Sequence, residues 1–262
     1  MRQKILATII AALEPLDFVL ACWQGGSQAW GYTDEWSDID LQVIVEDSCV
    51  EATFEIVEAA LQSLAAIQWK WRMPEPTWHG HSQCFYQFER ISPFLTLDFV
   101  VMKRSNPNRF LEVERNGNVA IAFDKTNLLI PTSLDRDTHF SKMAQRLEWI
   151  EKTFAFQQIL VKKEINRGLL IEAISGYHTR TLNPLIELLG MAYRPYRYDF
   201  MAKYLSRDLP GEICDRIKPL YCITDLTDLT KKQQMAEVLF AQTLPHAQKT
   251  LNIILTAFSN PT

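Results

Sequence analysis

Apolar residues follow two different spacings along the chain, and the spacing changes near residue 135. In the first half, short apolar runs alternate with segments of helical periodicity, which is typical of strands and helices in alternation. In the second half, apolar residues recur at helical spacing throughout, as a helical bundle requires. We therefore predict an α/β (α+β) domain with a mixed sheet over residues 1–135 and an all-α helical bundle domain over residues 136–262. The predicted strands are 18–23, 39–45, 66–72, 84–88, 94–101 and 118–124.

Several helix boundaries depend on cap and break signals. Ser48 precedes an apolar-periodic run and is a plausible N-cap. Asn183 precedes Pro184, a favoured first-turn residue, so a helix is predicted over 184–191 with Asn183 as its N-cap. Further helices are predicted over 198–205, 229–243 and 246–258, with a break at 209–211.

The segment after the first predicted strand carries candidate chemistry. Gly25 and Gly26 would let the backbone approach a phosphate closely, and a helix starting near Ser27 would aim N–H groups at it. Asp38 and Asp40 stand at the head of the second strand. Residues i and i+2 of a strand share a face, so these carboxylates could share a divalent metal, for which oxygen ligands suit Mg²⁺. The structural alternative is an Asx-type turn that leads into a strand.

Asp98 is a third candidate carboxylate, since it interrupts an apolar predicted strand. A charge there costs several kcal/mol unless it is paired or metal-bound. The alternative is a strand-end carboxylate that caps a loop. The Pro- and Gly-rich loop 73–81 contains Trp78, His79 and His81, which could border a substrate cleft. The two histidines could also be metal ligands, although no cysteine or carboxylate cluster completes such a site.

Gly26-Ser27, Gly31 and the run Ser37-Asp38-Ile39-Asp40-Leu41 together resemble the GS…DxD signature of the DNA polymerase β-like nucleotidyltransferases. Segment 120–129 resembles the edge segment that closes this domain in the antibiotic nucleotidyltransferases, and segment 167–189 is similar to a helix pair in the aminoglycoside 6-adenylyltransferase group. The resemblance implies transfer of a nucleoside monophosphate, AMP from ATP, to a hydroxyl of an aminoglycoside-like small molecule.

The same resemblance implies roles for the residues that match it. Asp38 and Asp40 would hold two Mg²⁺ ions, while Asp98 would complete one metal site or act as general base. The triphosphate would be bound by the group Gly25, Gly26, Ser27 and Ser37.

The predicted helical domain offers further candidates for both substrates. Arg194, Arg197 and Lys203 could grip the triphosphate, since Arg and Lys suit phosphate. In the antibiotic enzymes a polycationic acceptor binds between the two domains, and carboxylates line its cleft. Candidates on the helical side are Glu164, Glu172, Glu187 and Asp199, although solvated acids on helix faces are the ordinary alternative.

Composition narrows the choice of partners. The chain has 262 residues and a formal net charge of −4, without a run rich in Lys and Arg, which argues against RNA. Residues 1–135 hold 10 Lys and Arg against 18 Asp and Glu, so this half carries −8 and the remainder +4. An acidic catalytic half suits metal ions and cationic substrates. Nucleotidylation of a protein or RNA end, or a non-catalytic nucleotide-binding module, are the alternatives.

The sequence also gives expectations about cellular location and oligomeric state. Five scattered cysteines without a CxxC pair are typical of reduced thiols. The N-terminal apolar run is interrupted by Glu14, Pro15 and Asp17, whereas a signal peptide needs an uncharged core. We expect a cytoplasmic protein without a membrane partner. A homodimer is compatible with the sequence, which does not reveal the oligomeric state.

Overall fold

The computed structural model describes residues 1–259. The chain divides into two compact units, the first being Met1–Leu134 and the second beginning at Asp135. The first unit mixes helices and strands, and the second is helical. The predicted fold class is therefore confirmed. Residues 260–262, at the end of the predicted second domain, lie outside the described residues.

The first unit is built on one six-stranded sheet with the order β3-β4-β5-β2-β1-β6. β2 and β5 are parallel, and the other neighbouring pairs are antiparallel, so the sheet is mixed. The strands are β1 (Val19–Gln24), β2 (Ile39–Val45), β3 (Ile67–Arg72), β4 (Ser82–Phe88), β5 (Leu97–Lys103) and β6 (Ala120–Asp124). The helices are α1 (Arg2–Leu13), α2 (Gly26–Ala29), α3 (Val50–Leu64) and α4 (Val113–Asn116).

Alternation along the strands decides which face of the sheet is buried and which carries polar groups. Ile39 and Leu41 of β2, with Leu97 and Phe99 of β5, join α1 and α3 in one apolar core. Because successive strand residues point to opposite faces, Asp40 and Asp98 belong to the other face. A smaller cluster covers part of that second face; it includes Ile44, Val100, Met102, Leu111 and Leu129.

The second unit is a set of packed helices around its own core. Phe154 and Phe240 stack at a 3.6 Å centroid separation, and a buried polar cluster joins Thr181, Gln158 and Gln233. Its longer helices are α5 (Arg136–Asn166), α6 (Leu170–Tyr177), α7 (Asn183–Tyr193) and α10 (Leu226–Ser259), with the shorter α8 (Leu205–Asp208) and α9 (Gly211–Ile217) between. Short 3₁₀ segments cover Asp47–Cys49, Pro195–Phe200 and Lys218–Tyr221.

Two predicted helix starts are wrong. A π-helical turn over His178–Leu182 runs from α6 directly into α7, and Asn183 itself has helical dihedrals (φ −58°, ψ −48°). A residue inside continuous helix caps nothing, so the N-cap assigned to Asn183 does not exist. Ser48 is likewise not a cap, because it lies inside the 3₁₀ turn that precedes α3.

One predicted helix break, between residues 243 and 246, and one predicted helix, over 198–205, also differ from the structure. α10 continues through Pro245, although proline removes one helical hydrogen bond. Residues on both sides of it, Leu239 and Leu251, are buried in the same core, so packing outweighs that cost. The helix predicted over 198–205 is interrupted at Met201 (φ +51°) and Tyr204 (φ +59°).

Within residues 1–259, no helix is both long and apolar enough to cross a membrane.

Candidate active site

The structure brings two of the three candidate carboxylates side by side. Asp40 on β2 pairs in register with Asp98 on the adjacent parallel strand β5. Neighbouring strands lie about 4.8 Å apart, so the two half-buried side chains leave the same face of the sheet as close neighbours. Asp38 is exposed and comes one residue before β2. The parallel pairing of β2 and β5 therefore places the carboxylates of Asp40 and Asp98 next to each other on one face of the sheet.

The glycine loop lies directly against one of these carboxylates. The Gly25 amide donates to the Asp40 carbonyl at 3.1 Å. Gly26 has φ +55°, and a Cβ built there would lie 1.7 Å from Asp40 Oδ2. No side chain fits in this space, so glycine is required both by the backbone conformation and by contact with the carboxylate. Ser27 follows in the one-turn helix α2 and is almost fully buried.

Arg2 holds the chain segment that carries Asp38. Its guanidinium, at the start of α1, donates to the carbonyl of Asp38 at 2.6 Å and also to the carbonyl of Ser37. One rigid fork bound to two successive carbonyls fixes the backbone at the entry to β2. The sequence shows no signal for this role, because the contact spans 36 positions.

Ser37 lies in a turn whose polar groups bond one another. Its hydroxyl donates to Asp34 Oδ1 at 2.8 Å and accepts from the Asp34 amide at 2.9 Å. The Trp36 amide also donates to Asp34 Oδ1, at 3.1 Å. The observed contacts of Ser37 therefore shape the turn before Asp38, and nucleotide binding by Ser37 stays a prediction.

Gln83 on β4 contacts the second carboxylate, and sequence reasoning did not identify it. Its side-chain Nε2 donates to Asp98 Oδ1 at 2.6 Å. Its Oε1 lies 3.0 Å from His79 Nε2 in the loop before β4. The antiparallel register pairs Phe85 with Asp98, which puts Gln83 on the same face one step along. The predicted strand began at residue 84, one residue after Gln83, whereas β4 begins at Ser82, so the sequence pattern contained no signal for this residue.

The histidine loop has a defined environment of its own. His81 is 3% exposed, and burial, with smaller contributions from the nearby His79 and Arg109, lowers its pKa to about 4. The neutral ring lies against Phe110, with ring centroids 5.3 Å apart. Trp78 beside it is 85% exposed. The loop thus joins a buried neutral histidine to an exposed aromatic surface.

The basic candidates of the second unit occupy a buried ion-pair network. Arg194 donates to Asp208 Oδ2 at 2.8 Å and to the carbonyls of Lys203 (2.6 Å) and Met201. Arg197 donates to Asp208 Oδ1 at 2.9 Å. The Arg194 side chain is 3% exposed, so its observed role is to shape the loop 201–204, while the Lys203 side chain is exposed. Triphosphate binding by Arg194, Arg197 and Lys203 stays a prediction.

Two of the acidic candidates on the helical side already have cationic partners. Glu187 accepts a two-pronged contact from Arg146, with an Nη2 to Oε2 distance of 2.7 Å, and is mostly buried. Glu164 pairs with Arg167 at 2.6 Å. Glu172 is exposed on α6. Acceptor binding by these residues and by Asp199 stays a prediction.

The carboxylate pair is suited to magnesium in its donor chemistry. Among residues 1–259, no group of three or more His, Cys, Asp or Glu side chains is arranged to hold a metal. Mg²⁺, however, is commonly bound by one or two carboxylates together with substrate phosphates and water. Asp40 and Asp98, adjacent and beside the glycine loop, provide that donor set.

Comparisons with known proteins give structural neighbours only. No protein-family model matches the chain, and no curated protein matches it. Among solved structures, it is similar to an aminoglycoside 6-adenyltransferase from Bacillus subtilis, with 13% identity, a TM-score of 0.41, and coverage of 95% of this chain and 90% of that one. It is also similar to a nucleotidyltransferase-like protein from Exiguobacterium sibiricum 255-15, with 12% identity, a TM-score of 0.39, and coverage of 96% and 78%.

A third similar structure is the spectinomycin adenyltransferase AAD(9) from Enterococcus faecialis with ATP and spectinomycin, at 10% identity and a TM-score of 0.35, with coverage of 95% and 99%. All three neighbours have TM-scores under 0.5 and identities of 13% or less. Because their identities and TM-scores are this low, the case for an activity rests on the residues of this chain.

Proposed function

We propose that this protein is a metal-dependent nucleotidyltransferase that moves a nucleoside monophosphate, AMP from ATP, to a hydroxyl of a small molecule. The observation that carries the proposal is the in-register pair Asp40 and Asp98, with the loop of Gly25 and Gly26 packed against Asp40. Nucleotidyl transfer needs closely spaced oxygen ligands for metal next to a backbone that a phosphate can approach.

In this proposal each residue of the site has a defined task. Asp38, Asp40 and Asp98 would hold Mg²⁺, which when bound supplies positive charge that neutralises the transferring phosphoryl group. The backbone of Gly25 and Gly26 would lie along the triphosphate. Arg2 keeps the backbone of Asp38 in place through its two carbonyl contacts.

The proposed reaction is one in-line displacement. The acceptor oxygen forms a bond to the α-phosphorus, the bond from that phosphorus to the β-bridging oxygen breaks, and pyrophosphate leaves with the electron pair. The acceptor hydroxyl must lose its proton to a base. Asp98→Asn separates the two roles open to Asp98: loss of turnover with unchanged Mn²⁺ affinity indicates the base, and loss of both indicates a metal ligand.

A cationic acceptor is favoured by charge. The unit that holds the carboxylates, residues 1–134, has 10 Lys and Arg against 17 Asp and Glu, a formal −7, so it attracts cations over a distance of about one Debye length, near 10 Å. Aminoglycosides are polycationic polyols, and hence both their charge and their hydroxyl groups suit this unit.

The test is pyrophosphate release with each nucleoside triphosphate and Mg²⁺, offered with a panel of aminoglycosides and lincosamides. We expect release that needs ATP and one acceptor and that disappears in Asp40→Ala. Gln87→Leu is the matched control: Gln87 lies on β4 but donates to the Pro93 carbonyl, away from the carboxylates. Triphosphate binding without turnover on any acceptor would contradict a small-molecule transferase.

A further inference from the structure

Gln83 and His79 form a directed hydrogen-bond chain that ends on Asp98. The Asp98 carboxylate accepts from Gln83 Nε2 at 2.6 Å, and Gln83 Oε1 faces His79 Nε2 at 3.0 Å. At the far end, the His81 backbone amide donates to His79 Nδ1 at 3.1 Å. Four groups are thus linked in one line from the loop backbone to the sheet.

The direction of every bond in this chain is fixed by its two ends. A backbone N–H can only donate, so His79 Nδ1 must be the acceptor and Nε2 must carry the proton. An ionised carboxylate can only accept, so the Gln83 amide nitrogen must face Asp98 and its oxygen must face His79. The two requirements agree. A 180° flip of the Gln83 amide or of the His79 ring would break two hydrogen bonds in either case.

The loop that carries His79 is itself anchored. The Thr77 hydroxyl donates to the His81 carbonyl at 2.6 Å, and both residues are buried. Asn106 Nδ2 reaches the Gly80 carbonyl at 3.2 Å and His81 Nδ1 at 3.3 Å. The single Thr77 proton is used on the carbonyl, so in the Nε2-protonated tautomer the 3.2 Å contact between Thr77 Oγ1 and His79 Nδ1 joins two acceptors and is not a hydrogen bond. That contact would become a hydrogen bond only with the proton on Nδ1, so the tautomer of His79 decides between the two arrangements.

We propose that Gln83 and His79 are positioning residues for the Asp98 carboxylate, acting in the nucleotidyl transfer proposed above. Gln83 holds one carboxylate oxygen in place, and His79 holds Gln83. This inference rests on the proposed function for its catalytic meaning, while the hydrogen-bond chain itself can be tested separately. Groups that orient a metal-binding or proton-accepting carboxylate in this way commonly contribute about 10- to 100-fold to activity or metal affinity.

The first measurement is the tautomer of His79 in the wild-type protein, read from long-range ¹H–¹⁵N spectra. The chain has five histidines, so assignment by single substitution is practical. We expect a neutral His79 with the proton on Nε2, and a Gln83 side-chain amide resonance that shifts in Asp98→Ala. A proton on Nδ1, or an unmoved Gln83 resonance, would overturn the chain.

The second measurement is steady-state kinetics of Gln83→Leu, with Gln87→Leu as the control on the same strand. We expect kcat to fall about 10- to 100-fold in Gln83→Leu, with the nucleotide KM changed by less than about threefold, because orientation rather than binding is lost. Gln87→Leu should keep the wild-type kcat. Equal kcat values in the two variants would overturn a positioning role.

His79 variants keep the inference falsifiable should Gln83→Leu fail to fold. His79→Leu removes the donor to Gln83, whereas His79→Gln restores an amide N–H at about the same reach. We expect His79→Leu to lower kcat and His79→Gln to recover a large part of it. Loss of similar size in both would indicate a structural effect of the loop and contradict the proposal. A wild-type protein without turnover would refute the proposed function, while the tautomer would still decide whether the chain exists.

Discussion

Gly26→Ala is the substitution that most directly separates the fold of the site from its chemistry. A Cβ at this position would lie 1.7 Å from Asp40 Oδ2 and 2.3 Å from Asp40 Cγ. Ordinary contact begins near 3.4 Å, so the carboxylate or the loop must move by more than an ångström. The group in the way is the end of a short side chain, which can rotate. The clash therefore displaces Asp40 more readily than it unfolds the protein.

The expected losses follow from these distances. Alanine at φ +55° costs about 1–2 kcal/mol in backbone strain, which should lower the free energy of unfolding by that amount. A misplacement of about 1 Å in a catalytic group can cost about 100-fold in rate, so we expect kcat to fall at least that far. The assays are urea denaturation and pyrophosphate release with the acceptor that the panel identifies.

Gly31→Ala is the matched control. Gly31 lies in the same loop at φ +68°, but a Cβ there meets no atom within 4 Å. The two variants should therefore lose similar stability, while Gly31→Ala keeps most of its activity. If the two variants had equal kcat values, contact of Gly26 with Asp40 would not matter, and the reasoning would be refuted.

Three further substitutions test contacts outside the carboxylate pair, two of them in the first unit and one in the second. Arg2→Ala frees the backbone before β2 and should lower kcat about tenfold, whereas Lys4→Ala, exposed on the same helix, should not; kinetics of the two variants decide this. His81 has a pKa lowered to about 4, so its contribution to stability is complete above its unfolded pKa of about 6.5 and is lost as pH falls toward 4. Urea titrations should show about 2 kcal/mol of this loss between about pH 7.5 and pH 5 in the wild type and not in His81→Asn; parallel curves would contradict it. Asp208→Ala leaves Arg194 buried without its carboxylate and should lower the free energy of unfolding by about 3–5 kcal/mol, measured by urea denaturation. An unchanged free energy of unfolding would show that the ion-pair network is dispensable.

Elements of the fold were predicted correctly where the local apolar pattern of the sequence matches the burial of those residues in the structure. β2 occupies residues 39–45 as predicted, because an apolar run with polar residues at alternate positions leaves little choice of boundary. The change to helices near residue 135 was equally visible, since the spacing itself changes. Helix ends were less predictable. α10 passes through Pro245 because residues on both sides are buried in one core, and a proline signal contains no information about that packing.

The candidate site was readable in part. Gly26, Asp38 and Asp40 stand within one short segment, so their motif is local. The in-register pairing of Asp40 with Asp98 depends on which strands become parallel neighbours, which sequence spacing does not specify. The contact between Gln83 and Asp98 was harder still to predict from the sequence, because it depends on the register of a second strand pair, the antiparallel β4 and β5.

Arg194 shows which property of a basic side chain the sequence does not report. A basic, aromatic-rich segment suggested phosphate binding, since exposed Arg and Lys suit phosphate. In the structure, Arg194 is almost fully buried and bonds to Asp208 and to two carbonyls. Whether a cation faces solvent or holds a loop is decided by tertiary packing, which composition does not report.

Binding of Mn²⁺ in the presence of a non-hydrolysable triphosphate analogue tests the central claim most directly, because it needs no knowledge of the acceptor. Free Mn²⁺ would be followed by electron paramagnetic resonance in the wild type, Asp38→Ala and Asp40→Ala. Asp47→Asn is the control, since Asp47 is an exposed carboxylate beyond the opposite end of β2. We expect nucleotide-dependent Mn²⁺ binding that weakens at least about tenfold in the two site variants and stays unchanged in the control. Equal affinity in all four proteins would contradict a metal site at these carboxylates.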